Sequence, residues 1–309
     1  MRWLEGCLDG LGKQEYQEFH VIVVDDSSTD GSKEFVLEHY PRVSVISNQE
    51  QLGFARTVNK GIRSAHTGYV VLLNTDTIPY PGWLRSLVEV ADESPQTVGS
   101  FASKMLSMQD PDIIDDAGDL LMADGSAMKR GHGRPAGEYN TTCEVFSACA
   151  GAALYRREFL EETGAFDEQF ESYLEDVDLG LRGQLLGYSC LYVPSAEILH
   201  FGHGSGLPTS RYVKLVTRNR LMLLLKNVPG EILIRNSIAI IRGLGYHFVA
   251  SRKPFASIRG YLEFIPLLPH VLKERLSIQN RKVLNNSDLL ALFTSENSTV
   301  DGQEKPGET

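Results

Sequence analysis

The chain has 309 residues and a formal net charge of −10; 42% of its residues are hydrophobic and 23% are charged, a composition that supports a folded core and excludes a disordered or fibrous protein. Residues 1–210 hold 15 basic and 32 acidic side chains, whereas residues 211–283 hold 14 and 3. An acidic body with a basic C-terminal segment argues against a general nucleic-acid binder and favours a local contact between that segment and an anionic surface.

The N-terminal part of the chain alternates between helical and strand-like patterns. Apolar residues at helical spacing predict a helix over residues 3–11, without the long apolar region of a secretion signal. Runs rich in apolar and β-branched residues predict strands at 20–24, 43–47 and 69–73, and a helix is predicted over 54–64. This alternation is typical of a mostly parallel sheet covered by helices, which binds ligands at the carboxyl ends of its strands.

Two of the predicted strands end in acidic loops. Asp25 and Asp26 follow the first strand, and Asn74 and Asp76 follow the third. Carboxylates in the first loop can accept hydrogen bonds from a base or ribose. Asp76 beside a side-chain amide suits a hard divalent cation completed by substrate phosphates. The alternative is that these side chains only cap the helix or turn that follows.

The second half of the acidic body offers a further carboxylate cluster and a histidine. Residues 103–146 lack a clear period and are expected to form an irregular insertion that shapes a pocket wall. Beyond it, Glu175, Asp176 and Asp178 open a predicted helix, whose dipole keeps carboxylates ionised so that one can act as a general base. His200 follows a strand, where a neutral imidazole can bind a metal. The alternatives are helix caps and a structural histidine.

The basic segment is predicted to be helical and amphipathic. Arg235 and Arg242 are seven residues apart on one predicted helix face. Four apolar residues share another face: Ile234, Ile238, Ile241 and Phe248. This pattern predicts binding to an anionic membrane surface, and the alternative is a helical cap with a solvated basic face. Four charged residues interrupt the apolar stretch 221–250, so we expect no transmembrane helix.

Taken together, the motifs resemble the inverting glycosyltransferases of family 2, which have the GT-A fold, and particularly their rhamnosyltransferase-like bacterial members. The resemblance covers about residues 3–225. Five segments carry it: VIVVDDSSTDGS (21–32), NQEQLGFARTVNKGIRSAHTGYVVLLNTDT (48–77), PGWL (81–84), GAALYRREFLEETGAFDEQFESYLEDVDLGLRGQLLGY (151–188) and YVPSAEILHFGHGSG (192–206). The implied organisation is an α/β catalytic domain with a mixed, mostly parallel sheet over 1–210, a basic helical annex over 211–292 and a disordered tail over 293–309.

The resemblance also implies roles for individual residues. Three are expected to contact the donor nucleotide: Asp25, Asp26 and Arg56. Three are expected around an Mg²⁺ or Mn²⁺ ion: Asp76, His200 and Asn74, which occupies the first position of the family's DxD motif. Asp176 corresponds to the base that deprotonates the acceptor hydroxyl, with Glu175 and Asp178 on the acceptor side.

The implied reaction is inverting transfer of a sugar from a nucleoside-diphosphate-sugar to a glycan or lipid-linked acceptor in cell-surface polysaccharide synthesis. We expect a cytoplasmic enzyme, peripheral at the inner face of the cell membrane, with no nucleic-acid partner. The family's usual first strand is not found ahead of the helix at 3–11, which implies either a start further upstream or a damaged nucleotide pocket. The alternatives are therefore a non-catalytic relic or binding protein, and a nucleotidyltransferase, which would need a basic, glycine-rich phosphate loop that the N-terminal sequence lacks.

Overall fold

The computed structural model describes residues 3–202 and 208–294. The helices are α1 (Leu4–Gly12), α2 (Ser32–His39), α3 (Phe54–Ser64), α4 (Trp83–Glu93), α5 (Arg157–Thr163), α6 (Glu175–Leu185), α7 (Thr209–Asn227), α8 (Gly230–Arg235), α9 (Ser237–Ala250), α10 (Pro254–Phe264), α11 (Leu268–Arg281) and α12 (Asn286–Leu292). The strands are β1 (Ile22–Asp25), β2 (Ser44–Ser47), β3 (Tyr69–Leu73), β4 (Thr77–Pro79), β5 (Val98–Ser107), β6 (Ile114–Asp116), β7 (Asp119–Met122), β8 (Ala127–Lys129), β9 (Cys143–Val145), β10 (Ala152–Arg156), β11 (Ser189–His200) and β12 (Phe293–Thr294).

A seven-stranded mixed sheet forms the centre of the molecule, which confirms the predicted α/β class. Its order is β3-β10-β5-β11-β4, with β6 paired to β5 and β9 paired to β11. Strands β5 and β11 run parallel, whereas the other pairs are antiparallel, because the chain turns back on the sheet at β4, at β10 and in the insertion. The sheet is therefore less parallel than the sequence predicts. Strands β1 and β2 form a separate parallel pair.

Close packing fixes α6, the helix that carries the predicted base. A Cβ atom at Gly183 would lie 2.5 Å from the ring of Phe159 on α5. A Cβ atom at Gly180 would lie 2.2 Å from the Cβ of Ser147, which follows β9. Because neither position leaves room for a side chain, α6 approaches both neighbours closely and its first turn is held at the end of the sheet.

Helix α7 packs into the catalytic body, although the sequence analysis assigns it to a separate annex. Three of its cations, Arg218, Arg220 and Lys226, are at most 4% exposed and are paired with acidic side chains. Lys226 Nζ, for example, lies 2.6 Å from the Asp167 carboxylate. The basic composition of the annex therefore overstates its surface charge, because these cations are neutralised inside the protein.

The last helices cover α7 and lead the chain back to the insertion. Helices α10 and α11 pack on α7, and α8 and α9 meet at Asn236. Arg235 and Arg242 therefore lie in two consecutive helices, whereas the sequence predicts that they share one helix. Strand β12 pairs with β7, so regular structure extends to residue 294, and residues 295–309 lie outside the described part. Within residues 3–202 and 208–294, no helix combines the length and hydropathy needed to cross a bilayer.

Candidate active site

The first part of the site forms where β4 and β11 pair. Their antiparallel register puts His200 opposite Thr77, the residue after Asp76. The Asp76 carboxylate lies 3.5 Å from His200 Nε2. The Thr77 hydroxyl donates to the carbonyl oxygen of Asn74 at 2.6 Å, which closes the turn between β3 and β4. Two candidate metal ligands that are distant in sequence therefore meet at one end of the sheet.

Asp115, in strand β6 of the insertion, fixes the orientation of His200. Its carboxylate lies 2.7 Å from His200 Nδ1 and accepts a hydrogen bond from Lys129 Nζ, also at 2.7 Å. Burial alone would raise the pKa of Asp115, but these two partners lower it to about 2. Burial alone would lower the pKa of His200, but Asp115 and Asp76 raise it to about 9. Nδ1–H thus donates to Asp115, and Nε2 is turned towards Asp76.

Asp76 and His200 fit a hard divalent cation that takes most of its ligands from water and substrate rather than from the protein. Asp76 and His200 supply one carboxylate and one imidazole. Mg²⁺ binds oxygen ligands at about 2.1 Å, so neighbouring ligands of an octahedral ion lie about 3 Å apart, near the separation of this pair. Among the described residues, no group of three or more acidic, histidine or cysteine side chains is placed to hold an ion. The pair therefore suits Mg²⁺ or Mn²⁺ completed by water and substrate phosphates.

The second part of the site is the first turn of α6. Asp176 accepts hydrogen bonds from the backbone N–H groups of Ala150 (3.2 Å) and Val177 (2.9 Å). Burial raises the pKa of Asp176, although these two backbone donors oppose the shift. Of the three carboxylates that open α6, Asp176 retains accessible surface, whereas Glu175 and Asp178 are buried. Asp176 is therefore the least enclosed of the three acidic residues in this turn.

The other two acids of this turn are enclosed by the protein. Asp178 accepts hydrogen bonds from three side chains: Arg182 Nε at 2.9 Å, Lys226 Nζ at 2.8 Å and Asn227 Nδ2 at 2.7 Å. It is 0% exposed and joins α6 to α7; its expected place on the acceptor side, as a support for that site, stays a prediction. Glu175 is buried, and one of its carboxyl oxygens has no hydrogen-bond partner among residues 3–202 and 208–294. Burial raises its pKa well above the usual value, which favours the neutral acid.

A short backbone segment joins the two parts of the site. The Asn74 backbone N–H donates to the carbonyl oxygen of Gly151 at 2.8 Å, and the neighbouring Ala150 N–H donates to Asp176. A Cβ atom at Gly151 would lie 3.3 Å from the Asn74 side-chain nitrogen. The turn that carries Asp76 and the turn that carries Asp176 are therefore tied to adjacent residues of one segment.

The insertion contributes buried charges that sequence reasoning missed. Burial raises the pKa of Asp116 to about 7. Burial, followed by the charges of Asp176 and Asp116, raises the pKa of Asp119 well above its usual value. The positive charge of Lys129 opposes the rise in pKa at Asp116, Asp119 and Asp176. The acidic pattern DDAGD at 115–119 is the sequence signal that marks this cluster.

The two aspartates expected to contact the donor nucleotide have different surroundings. Asp26 accepts three hydrogen bonds from the loop after β2: from Asn48 Nδ2 at 2.7 Å, Leu52 N at 2.8 Å and Gly53 N at 3.0 Å. Burial alone would raise the pKa of Asp26, but these donors lower it. Asp26 thus anchors that loop, and its contact with the donor nucleotide stays a prediction. Asp25 is buried and accepts a hydrogen bond from Ser28 N at 3.1 Å. Arg56 lies 3.9 Å from Glu168 in an exposed ion pair.

Helix α7 holds the loop that leads into the first turn of α6. Three non-glycine residues of this loop have positive φ angles: Glu171 (62°), Tyr173 (72°) and Leu174 (66°). Asn219 Nδ2 contacts three of its carbonyl oxygens: Phe170 (2.9 Å), Ser172 (2.9 Å) and Tyr173 (2.8 Å). Arg218 donates to the Glu171 carboxylate at 2.6 Å and to Asn219 Oδ1 at 3.0 Å. These bonds offset the backbone strain directly before Asp176.

Known protein families place these features in context. Residues 2–164 match the model described as glycosyl transferase family 2; Asp176 and His200 lie beyond the matched range. N-acetylglucosaminyl-diphospho-decaprenol L-rhamnosyltransferase of Mycobacterium tuberculosis is 28% identical over 229 residues, which cover 66% of this chain and 73% of that protein. Amylovoran biosynthesis glycosyltransferase AmsB of Erwinia amylovora is 29% identical over 196 residues, which cover 60% of this chain and 61% of that protein.

A solved structure shares the fold. The mannosyltransferase PcManGT from Pyrobaculum calidifontis, in complex with GDP-Man and Mn²⁺, superposes with a TM-score of 0.54 at 18% sequence identity. The match covers 94% of this chain and 75% of that chain. At this identity the likeness establishes the architecture alone.

Proposed function

Because the chain belongs to glycosyl transferase family 2 and is a glycosyltransferase with the GT-A fold, we propose that it transfers a sugar with inversion from a nucleoside-diphosphate-sugar, assisted by Mg²⁺ or Mn²⁺. One observation carries the proposal: a half-buried carboxylate, Asp176, and a candidate metal pair, Asp76 and His200, are tied to adjacent backbone positions. A base and a cation are the two groups that this reaction requires from the protein.

Asp176 is the proposed general base. The acceptor hydroxyl gives its proton to the Asp176 carboxylate while its oxygen bonds to the anomeric carbon. The bond from that carbon to the diphosphate breaks on the opposite face, so the configuration inverts. A carboxylate whose pKa is raised by burial is a stronger base than an exposed one. This step needs no second carboxylate as a nucleophile.

Asp76 and His200 are the proposed protein ligands of the cation. When bound, Mg²⁺ or Mn²⁺ would neutralise the negative charge that develops on the diphosphate leaving group. His200 can offer the lone pair of Nε2 once that nitrogen is deprotonated, since Asp115 holds the proton on Nδ1. The Mn²⁺ ion in the PcManGT complex supports a divalent cation in this fold.

The donor and acceptor classes are also proposals. The GDP-Man in PcManGT supports a nucleoside-diphosphate-sugar donor, with Asp25 and Arg56 on the nucleotide side. The Mycobacterium relative is named for a diphospho-decaprenol acceptor and the Erwinia relative for amylovoran biosynthesis. These names support a lipid-linked or glycan acceptor in cell-surface polysaccharide synthesis. An enzyme with such an acceptor would work at the cytoplasmic face of the cell membrane.

Calorimetric titration with UDP, dTDP and GDP, with and without Mn²⁺, tests the donor half of the proposal. We expect one nucleotide to bind, with an affinity that Mn²⁺ increases at least about tenfold. Asp76→Ala should abolish the increase, whereas Asp112→Ala, at an exposed position, should preserve it. If none of the three nucleotides binds, the chain is the non-catalytic relic. A metal effect that survives in Asp76→Ala removes Asp76 from the cation site.

A further inference from the structure

Exposed apolar side chains are concentrated in one short part of the chain. Sixteen large hydrophobic residues are exposed within residues 3–202 and 208–294, and 12 of them lie between positions 234 and 283. The most exposed is Phe255, at 86%. Such a concentration marks a binding surface, because soluble proteins rarely leave many large apolar groups together in water.

Helix α9 leaves four large apolar side chains exposed. Its exposed apolar positions follow a helical period: Ile238, Ile241, Tyr246 and Val249. Its buried position is Gly243, where a Cβ atom would lie 2.2 Å from the Asp124 carboxylate and 2.4 Å from the Arg220 guanidinium. A surface helix normally packs its apolar stripe on the core and its polar face in water. Helix α9 departs from this arrangement, because its exposed face is apolar as well as the face on which Ile240 packs against the core.

Helix α10, which packs against α9, has the same arrangement. Its outward positions are Phe255, Ile258 and Leu262, spaced by three and four residues. Small residues lie inward: Ser257 is buried, and a Cβ at Gly260 would lie 2.6 Å from the carbonyl oxygen of Lys214 on α7. The small residues allow α10 to approach α7 closely, and Phe264 at its end is buried, while Phe255, Ile258 and Leu262 remain outside.

The charges beside these stripes are cationic. Five basic side chains of α8, α9, α10 and their connections are exposed: Arg235, Arg242, Arg252, Lys253 and Arg259. Residues 211–283 contain three acidic residues. Two of them have partners: Glu263 forms ion pairs with Lys214 and Arg259, both at 2.8 Å, and Glu231 accepts a hydrogen bond from Asn286 at 2.7 Å. The surface thus combines apolar groups with an excess of positive charge.

We propose that the outward faces of α9 and α10 form an interfacial binding surface for an anionic lipid bilayer. The apolar side chains enter the boundary between headgroups and acyl chains, and the flanking cations contact anionic headgroups. This mode needs no spanning helix. The inference deepens the proposed function, on which it rests for the lipid-linked acceptor, and it names the face that brings the enzyme to that acceptor. In contrast to the sequence prediction, Ile238, Ile241 and Arg242 share the outward side.

Sedimentation with lipid vesicles tests this surface without requiring catalysis. The vesicles contain either phosphatidylcholine alone or phosphatidylcholine and phosphatidylglycerol in equal parts. We expect the chain to sediment with the mixed vesicles, and the double variant Ile241→Glu with Phe255→Glu to lose at least about tenfold in affinity. Leu37→Glu and Met128→Glu are matched controls, since those residues are 55% and 54% exposed elsewhere, and should bind like the unchanged chain.

Variants that remove positive charge separate the electrostatic contribution to vesicle binding from the apolar contribution. Arg242→Gln with Lys253→Gln should weaken binding to the mixed vesicles roughly tenfold and change little with phosphatidylcholine alone. Circular dichroism melts check that every variant folds. The proposal is overturned if the unchanged chain does not bind the mixed vesicles, or if the glutamate pair binds as tightly as the controls. It is also overturned if the unchanged chain does not bind vesicles and this face instead forms a dimer, which the double variant Ile241→Glu with Phe255→Glu dissociates. If the unchanged chain binds the mixed vesicles but binds none of the tested nucleotides, the proposed function is refuted and the membrane surface is not.

Discussion

Replacing Asn219 by alanine should damage both stability and transfer, because its buried amide holds the loop before Asp176. The amide Nδ2 reaches three backbone carbonyl oxygens at 2.8 to 2.9 Å, and Asn219 is 0% exposed. A buried polar group left without its partner costs about 1–3 kcal/mol. Because the amide has two N–H groups, we expect Asn219→Ala to lower the free energy of unfolding by about 2–4 kcal/mol.

The effect on transfer should exceed what the loss of stability explains. Three positive φ angles in the loop are held by these bonds, and a displacement of about 1 Å near the reacting groups can reduce a rate by about 100-fold. Urea unfolding gives the stability change, and sugar transfer measured well below the unfolding midpoint gives kcat. Asn280→Ala, at an exposed position of α11, is the control. An Asn219→Ala protein with an unchanged midpoint and unchanged kcat would refute the role assigned to α7.

Two further predictions follow from the charge networks. Asp115→Asn should raise the Mn²⁺ concentration needed to strengthen nucleotide binding in calorimetry by about 10- to 100-fold, because Asp115 fixes the imidazole of His200; an unchanged Mn²⁺ requirement would contradict that role. Lys226→Met should lower the free energy of unfolding by about 3–5 kcal/mol, because it leaves the Asp167 and Asp178 carboxylates buried with fewer partners. Burial would raise the pKa of Asp167, but the charge of Lys226 lowers it, so the stability that this carboxylate contributes is present above about pH 4 and is lost as the pH falls further. Lys226→Met should therefore flatten the acid limb of a stability profile measured by urea unfolding, and an unaltered limb would count against the pairing.

The chemistry-bearing motifs were predictable because they depend on local sequence. The acidic loops after β1 and β3 follow short apolar strands, and the three acids of α6 precede a helical pattern. Asp115 was not predictable in the same way, since its contact with His200 spans 85 positions. It also lies in an insertion that lacks a clear period. Identifying Asp115 as the residue that orients His200 thus required the tertiary structure.

Differences in burial between neighbouring acidic residues could not be predicted from the sequence. Asp176 and Asp178 both lie in the first turn of α6, yet Asp178 is turned towards Lys226 and Asn227, which are 48 and 49 positions away. The same limit applied to the basic segment. Its composition could not reveal that Lys226 is buried, and its hydrophobic pattern could not reveal that four large apolar side chains of α9 are exposed.

The central claim, that Asp176 is the base of an inverting transfer, is tested most directly by Asp176→Asn. Once a donor has been found by nucleotide titration, transfer to an acceptor and donor affinity are measured for the variant and for Asp112→Asn, its exposed control. If Asp176 is the base, kcat falls by at least about 100-fold, with donor affinity and the unfolding midpoint close to those of the control. Transfer by Asp176→Asn at a rate near that of the control would contradict that role.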